Sequence, residues 1–256
     1  SNINDRSCAK VIGGYDFINN DQNPADDNGH GTHVAGIIAS ANITYRGIAP
    51  DASIVAIKSL NNNGEGTLAS VVNGINWCVD NSTIFNITII SMSFGTSTLF
   101  SNYCDNVDPL TAAAIDAAIA KNISVIAAAG NDGSITGIAS PACIKNATAV
   151  GWTNKDDTIN TDSNRNSITD LLAPGSGIAS TKKGGGTESN SGTSMSTPHV
   201  SAAFALIHQY FKLTENRVIM PNETQRYLNN TGKQISDTGG SGLTFSRINI
   251  FAAVKS

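Results

Sequence analysis

With 256 residues, 40% of them hydrophobic, the chain is long enough to bury a sizeable core as a single domain. Only 14% of residues are charged, and 29 Asn, 27 Ser and 23 Thr carry the polarity instead. A net charge of −4 leaves no basic stripe for a phosphate backbone, and no apolar run approaches the ~18 residues of a membrane span, which argues against nucleic acid as a partner and against a spanning helix.

In chain order, residues 52–60 form a β-type run, 67–79 carry apolar residues at helical spacing, and 87–94 are again β-type. An alanine-rich helix at 110–121 leads straight into a strand at 123–129, and 147–152 and 171–173 are further strands. Residues 194–211 make a long buried helix, 221–228 a short one, and 248–250 a closing strand after the glycine turn 239–242. Alternating strand and helix predict an α/β fold in three layers, a mostly parallel central sheet flanked by helices, with one domain over residues 1–256. Gly184-Gly185-Gly186 is too short for a linker and predicts a loop near a binding surface. The four cysteines, Cys8, Cys78, Cys104 and Cys143, have no CxxC spacing, which argues against zinc and leaves free thiols or up to two disulfides, with three complete pairings open.

Three segments set reactive side chains among glycines. In Asn28-Gly29-His30-Gly31-Thr32-His33-Val34-Ala35-Gly36, a helix starting near His30 presents an imidazole suited to general-base work, while His33 is better placed as a hydrogen-bonded structural histidine. The plainer reading of His30 is a polar residue at a helix start. In Ser191-Gly192-Thr193-Ser194-Met195-Ser196-Thr197-Pro198-His199, Pro198 belongs in a first helical turn, so Ser194 stands beside free backbone N–H groups able to hold an oxyanion. The plainer reading there is a Ser/Thr helix cap. In Ala127-Ala128-Ala129-Gly130-Asn131-Asp132-Gly133, Asn131 follows a buried strand, where an amide can donate to developing negative charge; alone, Asn-Asp-Gly is a turn.

With His preceding Ser, and with the runs His30-Gly31-Thr32-His33-Val34-Ala35-Gly36 and Gly192-Thr193-Ser194-Met195-Ser196-Thr197-Pro198-His199, the chain resembles the subtilisin-like serine peptidases. Gly47-Ile48-Ala49-Pro50, Ser91-Met92-Ser93-Phe94-Gly95 and Ala173-Pro174-Gly175 extend the likeness over nearly the whole chain. The resemblance implies a subtilisin-like fold and a serine endopeptidase acting on extended polypeptides, with Ser194 as nucleophile, His30 as base, and Asn131 with the Ser194 N–H as oxyanion hole. It implies that Gly64, Glu65, Gly66 and Ser93, Phe94, Gly95 are edge strands flanking the substrate, that Ala129 and Gly130 line it, and that Ala139 and Ser140 floor a side-chain pocket with nothing acidic in it. A bond between Cys104 and Cys143 follows from the same likeness, since both border that pocket.

No cofactor is required for the chemistry, while Asp16, Asp21 and Asn23 resemble a structural calcium stretch whose other reading is an Asx turn. The likeness further implies a secreted or cell-surface protein, with a propeptide as a second partner. The family's Asp-Thr/Ser-Gly motif does not occur before His30, so the third triad member is expected on a strand upstream of Ser1, the chain being a processed or cut form. The alternative function is a peptide-binding module without catalysis; a His30-x-x-His33 metal site lacks a third ligand nearby.

Overall fold

The computed structural model describes residues 10–255, in which strand and helix alternate. The first half runs β1 (Val11–Asp16), α1 (His30–Ala39), β2 (Ile54–Lys58), α2 (Leu68–Asp80), α3 (Ser82–Phe85), β3 (Ile89–Met92), β4 (Leu99–Phe100) and α4 (Pro109–Ala120). Next come β5 (Ser124–Ala128), β6 (Ile138–Ala139), β7 (Thr148–Thr153), β8 (Leu171–Pro174), β9 (Ile178–Thr181) and β10 (Thr187–Asn190). The chain closes with α5 (Thr193–Thr214), α6 (Pro221–Thr231), β11 (Lys233–Ser236), β12 (Thr244–Arg247) and α7 (Ile250–Ala253).

The main sheet has six strands in the order β11-β12-β8-β7-β5-β3, all parallel except β11. Its central strands β5, β7 and β8 are buried on both faces, and their side chains alternate between two cores as the pleat requires. Val125 and Ala127 face Ile75 and Cys78 of α2 and Ile115 of α4, whereas Ile126 faces Val200, Ala203, Phe204 and Ile207 of α5. That alternation produces the expected three layers. β1 pairs in parallel with β2 as a separate two-stranded sheet, so among the described residues β2 and β3 each keep one edge free of strand partners. Two short antiparallel pairs, β4 with β6 and β9 with β10, lie outside the main sheet, the second closed by the Gly184–Gly186 turn.

Helix starts follow local chemistry. Thr67 and Ser70 form a reciprocal capping box on α2, and Asp108 accepts from Thr111 N ahead of Pro109 on α4. Three expectations are corrected. Residues 248–250 do not form the closing strand: Asn249 accepts from Ala252 N and starts α7, while the strand is β12, just before it. Pro198 lies in the second turn of α5, not the first, fully enclosed by the core. Residues 64–66 are not an edge strand, because Gly64 at φ +81° and the Asn61 N–H to Glu65 carbonyl bond of 2.8 Å close a turn. Residues 93–95 likewise run outside any strand, past the end of β3.

Candidate active site

The C-terminal ends of β3 and β5 and the N-terminus of α5 converge on Ser194. It is the second residue of α5, where no carbonyl within the helix reaches its N–H. Its hydroxyl donates to the Ser93 carbonyl just beyond β3, at 3.0 Å. Asn131, in the turn after β5, accepts from both the Thr193 N–H (2.8 Å) and the Thr193 hydroxyl (2.9 Å) through Oδ1. With that oxygen committed to the residue before Ser194, the amide Nδ2 is the group left to donate, and an amide donor can stabilise an oxyanion. Gly130 N donates to the same Thr193 hydroxyl at 3.3 Å. Thr193 thus ties the Asn131 turn to the nucleophile's helix, a role that reading the sequence missed although the residue adjoins Ser194.

His30 opens α1, which packs against α5 and β9. The preceding turn is held by Asp26, whose Oδ1 accepts from Asn28 N and Gly29 N and whose Oδ2 accepts from Thr32 N (2.7 Å) and Thr32 Oγ1 (2.6 Å). This carboxylate replaces a side-chain cap at Gly29, and those donors hold it ionised below the usual range despite burial that pushes the other way. Burial holds His30 below the ordinary histidine value and His33 adds to that, while the Asp26 charge pulls it back up. A neutral imidazole is what a base needs. Among the described residues its ring has no carboxylate hydrogen-bonded to it: Asp26 is committed to α1, and Asp27 takes the Lys58 ammonium at 2.7 Å. His33 is fully buried, with Nε2 3.3 Å from the Glu188 carbonyl, in a structural setting.

The calcium candidates are not gathered around a cation. Asp16 accepts from Ile18 N, Asn19 N and Asn19 Nδ2, and pairs with Lys58 Nζ at 3.0 Å. Asp21 accepts from Asn23 N. An ammonium therefore stands where a cation's charge would go, and among the described residues no three His, Cys, Asp or Glu side chains form a metal cluster. This is the Asx-turn arrangement. Lys58, which bridges Asp16 and Asp27, went unnoticed in sequence because its partners lie 42 and 31 residues away.

Gly95 lies against Ala139 and the Ser140 carbonyl, Ala139 N donates to the Ala129 carbonyl, and Gly130 N meets the Thr193 hydroxyl, whereas Gly64, Glu65 and Gly66 lie in a turn near Asn28, whose amide donates to the Asn62 carbonyl. Cys104 and Cys143 are bonded, with Cα atoms 5.4 Å apart. Cys78 is a buried free thiol pushed up to about 12 by desolvation, which makes it inert, and Cys8 lies outside the described residues. No helix among the described residues is long and apolar enough to cross a membrane.

The model of the subtilase family matches residues 1–246. The chain is 37% identical to thermitase of Thermoactinomyces vulgaris over 251 residues, covering 97% of this chain and 82% of that protein. It is equally identical over 248 residues to the thermophilic serine proteinase of Bacillus sp. (strain AK1), covering 96% of this chain but 57% of the relative. Several other relatives are likewise much longer than the part this chain spans. The solved structure of a cold-adapted subtilisin-like serine proteinase superposes with a TM-score of 0.80 at 33% identity, covering 97% of this chain and 85% of the other. These relatives are proteases by name, and a peptide-binding module without catalysis finds no support among them.

Proposed function

The chain belongs to the subtilase family of serine proteases, and on that premise we propose that it is an endopeptidase that hydrolyses extended polypeptides through Ser194 and His30. The observation that supports this reading is the Thr193 clamp, which takes up Asn131 Oδ1 at the residue before Ser194 and leaves Asn131 Nδ2 as the group able to donate.

In this reading Ser194 Oγ turns from the Ser93 carbonyl toward His30 and attacks the scissile carbonyl carbon while His30 takes its proton. The carbonyl oxygen gains the negative charge and receives the Asn131 and Ser194 donors. Collapse of the tetrahedral adduct expels the amine, which leaves with the proton from His30, and Ser194 remains acylated. Water, deprotonated by His30, then releases the acid and restores the hydroxyl. No cofactor takes part.

His30 needs a carboxylate to fix its tautomer and stabilise imidazolium. We assign that acid to a strand from outside residues 10–255, inserted between β2 and β3, because both present unpaired edges there. We further read the protein as secreted or cell-surface, with a propeptide as a second partner. Any structural calcium would need Lys58 displaced from Asp16.

The test is hydrolysis of one unfolded protein substrate at pH 8 by the 256-residue chain and by a longer form in which an Asp-bearing strand has been added ahead of Ser1. The longer form should be active and Ser194→Ala inactive, with the short form weaker by about 10⁴ or more. Cleavage that survives Ser194→Ala would overturn the assignment; full activity in the short form would overturn the inserted-strand account.

A further inference from the structure

The turn that carries Asn131 leaves the end of β5 for solvent. Asn131 and Asp132 are exposed, so apolar packing does not fix them. A donor that serves an oxyanion works by being fixed in advance, since reorientation during the reaction would consume what the hydrogen bond supplies. Thr193 fixes one side of the turn, through Asn131 Oδ1 and Gly130 N. The other side is held by a residue that takes no part in the chemistry.

That residue is Asn164, fully buried in the segment between β7 and β8. Its side-chain oxygen accepts from Asp132 N at 2.9 Å and from Ser134 N at 3.0 Å. Its side-chain nitrogen donates to the Ala129 carbonyl at 3.2 Å and to Asp132 Oδ2 at 2.9 Å. Its backbone N–H donates to the Gly130 carbonyl at 3.0 Å. An amide side chain has two acceptor and two donor positions, and here all of them go to residues 129, 132 and 134, on either side of Asn131. The fit is close, since a Cβ placed on Gly130 would collide with Asn164 Nδ2. Asn164 is anchored in turn by its neighbours: Ser163 Oγ accepts from Trp152 N of β7 at 3.0 Å, and Arg165 pairs with buried Asp237 at 2.6 Å.

Resting on the function proposed above, we propose that Asn164 is a positioning residue for the reaction: it holds the 129–134 turn so that Asn131 Nδ2 meets the oxyanion without having to reorient. Asn164 is sealed from solvent and touches no substrate, so its effect passes through Asn131. A residue that served folding alone would not change the rate of the protein once folded.

The test is kcat and KM for one peptide amide, measured on the longer form described above. Asn164→Ala should lower kcat about tenfold or more with KM within about twofold, because a displaced donor loses the oxyanion more than the ground state. In an Asn131→Ala background the same change should cost less than about twofold, since the donor it positions is gone. Amide hydrogen exchange should rise at residues 130–134 and stay unchanged at residues 124–128. Asp132→Ala, at an exposed position, frees one Asn164 N–H without opening a cavity. It should lower kcat about two- to threefold, again only while Asn131 is present, and it decides the matter if Asn164→Ala does not fold. A loss of kcat equally large without Asn131, a loss confined to KM, or exchange that rises uniformly overturns the inference and leaves the proposed function standing. An Asn131→Ala protein with the parent's kcat overturns the oxyanion assignment and this inference together.

Discussion

Ser194 and Asn131 stand at the C-terminal ends of strands of the six-stranded sheet, whose β5 and β7 are buried along their whole length, whereas His30 follows a turn in which Asp27 pairs with Lys58 of β2, a strand that is half-buried like most of β1. The first region is held by two apolar cores and by the backbone ladder. In the second, polar contacts carry much of the load: Asp26 on the first turn of α1, Lys58 between Asp16 and Asp27, and Lys183 Nζ on the Asp27 carbonyl. Apolar burial is insensitive to pH and weakly sensitive to salt, while ion pairs and charged caps respond to both. The region of Ser194 and Asn131 therefore rests mainly on apolar packing, and the region of His30 depends more on charge.

The largest effect expected within this contrast is on chemistry. Ser194→Ala should remove activity by about 10⁶-fold with the thermal midpoint nearly unchanged, since the first turn of α5 survives. Asn131 offers a finer cut. Asn131→Asp keeps an acceptor for Thr193 but loses the donor, so kcat should fall about 10²–10³-fold with KM nearly constant. Asn131→Ala loses both and should also destabilise the helix start. Equal stability in the two variants would break the claim that Thr193 needs Asn131.

On the other side, Lys58→Met removes the counter-charge from Asp16 while Ile18 N and Asn19 still donate to it, and should cost about 1–3 kcal/mol in denaturant unfolding. Hydrogen exchange should then rise across residues 11–39 while residues 124–153 stay protected; uniform loosening would erase the contrast between the regions. Burial pushes Asp16 up, but Asn19, Lys58 and Ile18 outweigh it and hold the carboxyl at about 2. Its contribution is present in full above about pH 4, where the unfolded group is ionised, and is lost as pH falls through 2. The smallest effect is a titration: His30 should protonate below 6.5, and Asp26→Asn, which removes the charge that pulls it up, should lower it further. A value unmoved by Asp26→Asn would show that this carboxylate acts only as a helix cap.

Much of the region around Ser194 and Asn131 was legible in the sequence because its signals are local. The apolar runs of β5 and β7 and the glycines around Ser194 and Asn131 say where strands stop and helices start without reference to distant residues. The base side was less legible. β1 contains Gly13 and Gly14, poor strand formers that are allowed there because it lies against β2, and Gly14 sits so near the Ala56 carbonyl that no side chain fits. Lys58 gains its meaning only from partners brought in by folding. At the C-terminus, Ile248 and Ile250 read as strand residues, but Asn249 between them supplies a helix cap, and a single cap outweighed a short β-type run.

The closeness of Gly95 to Ala139 also orders the substitutions open to the lineage that carries this chain. Any side chain arriving at position 95 meets the methyl at 139 first. A change at 139 to glycine removes that collision and leaves a Cβ at 95 facing only the Ser140 carbonyl oxygen at 3.2 Å and the Ala128 carbonyl oxygen at 3.8 Å. Of the two orders in which these positions can change, the one that begins at 95 meets the Ala139 methyl at its first step, so variation in this pair should begin at 139 and reach 95 later.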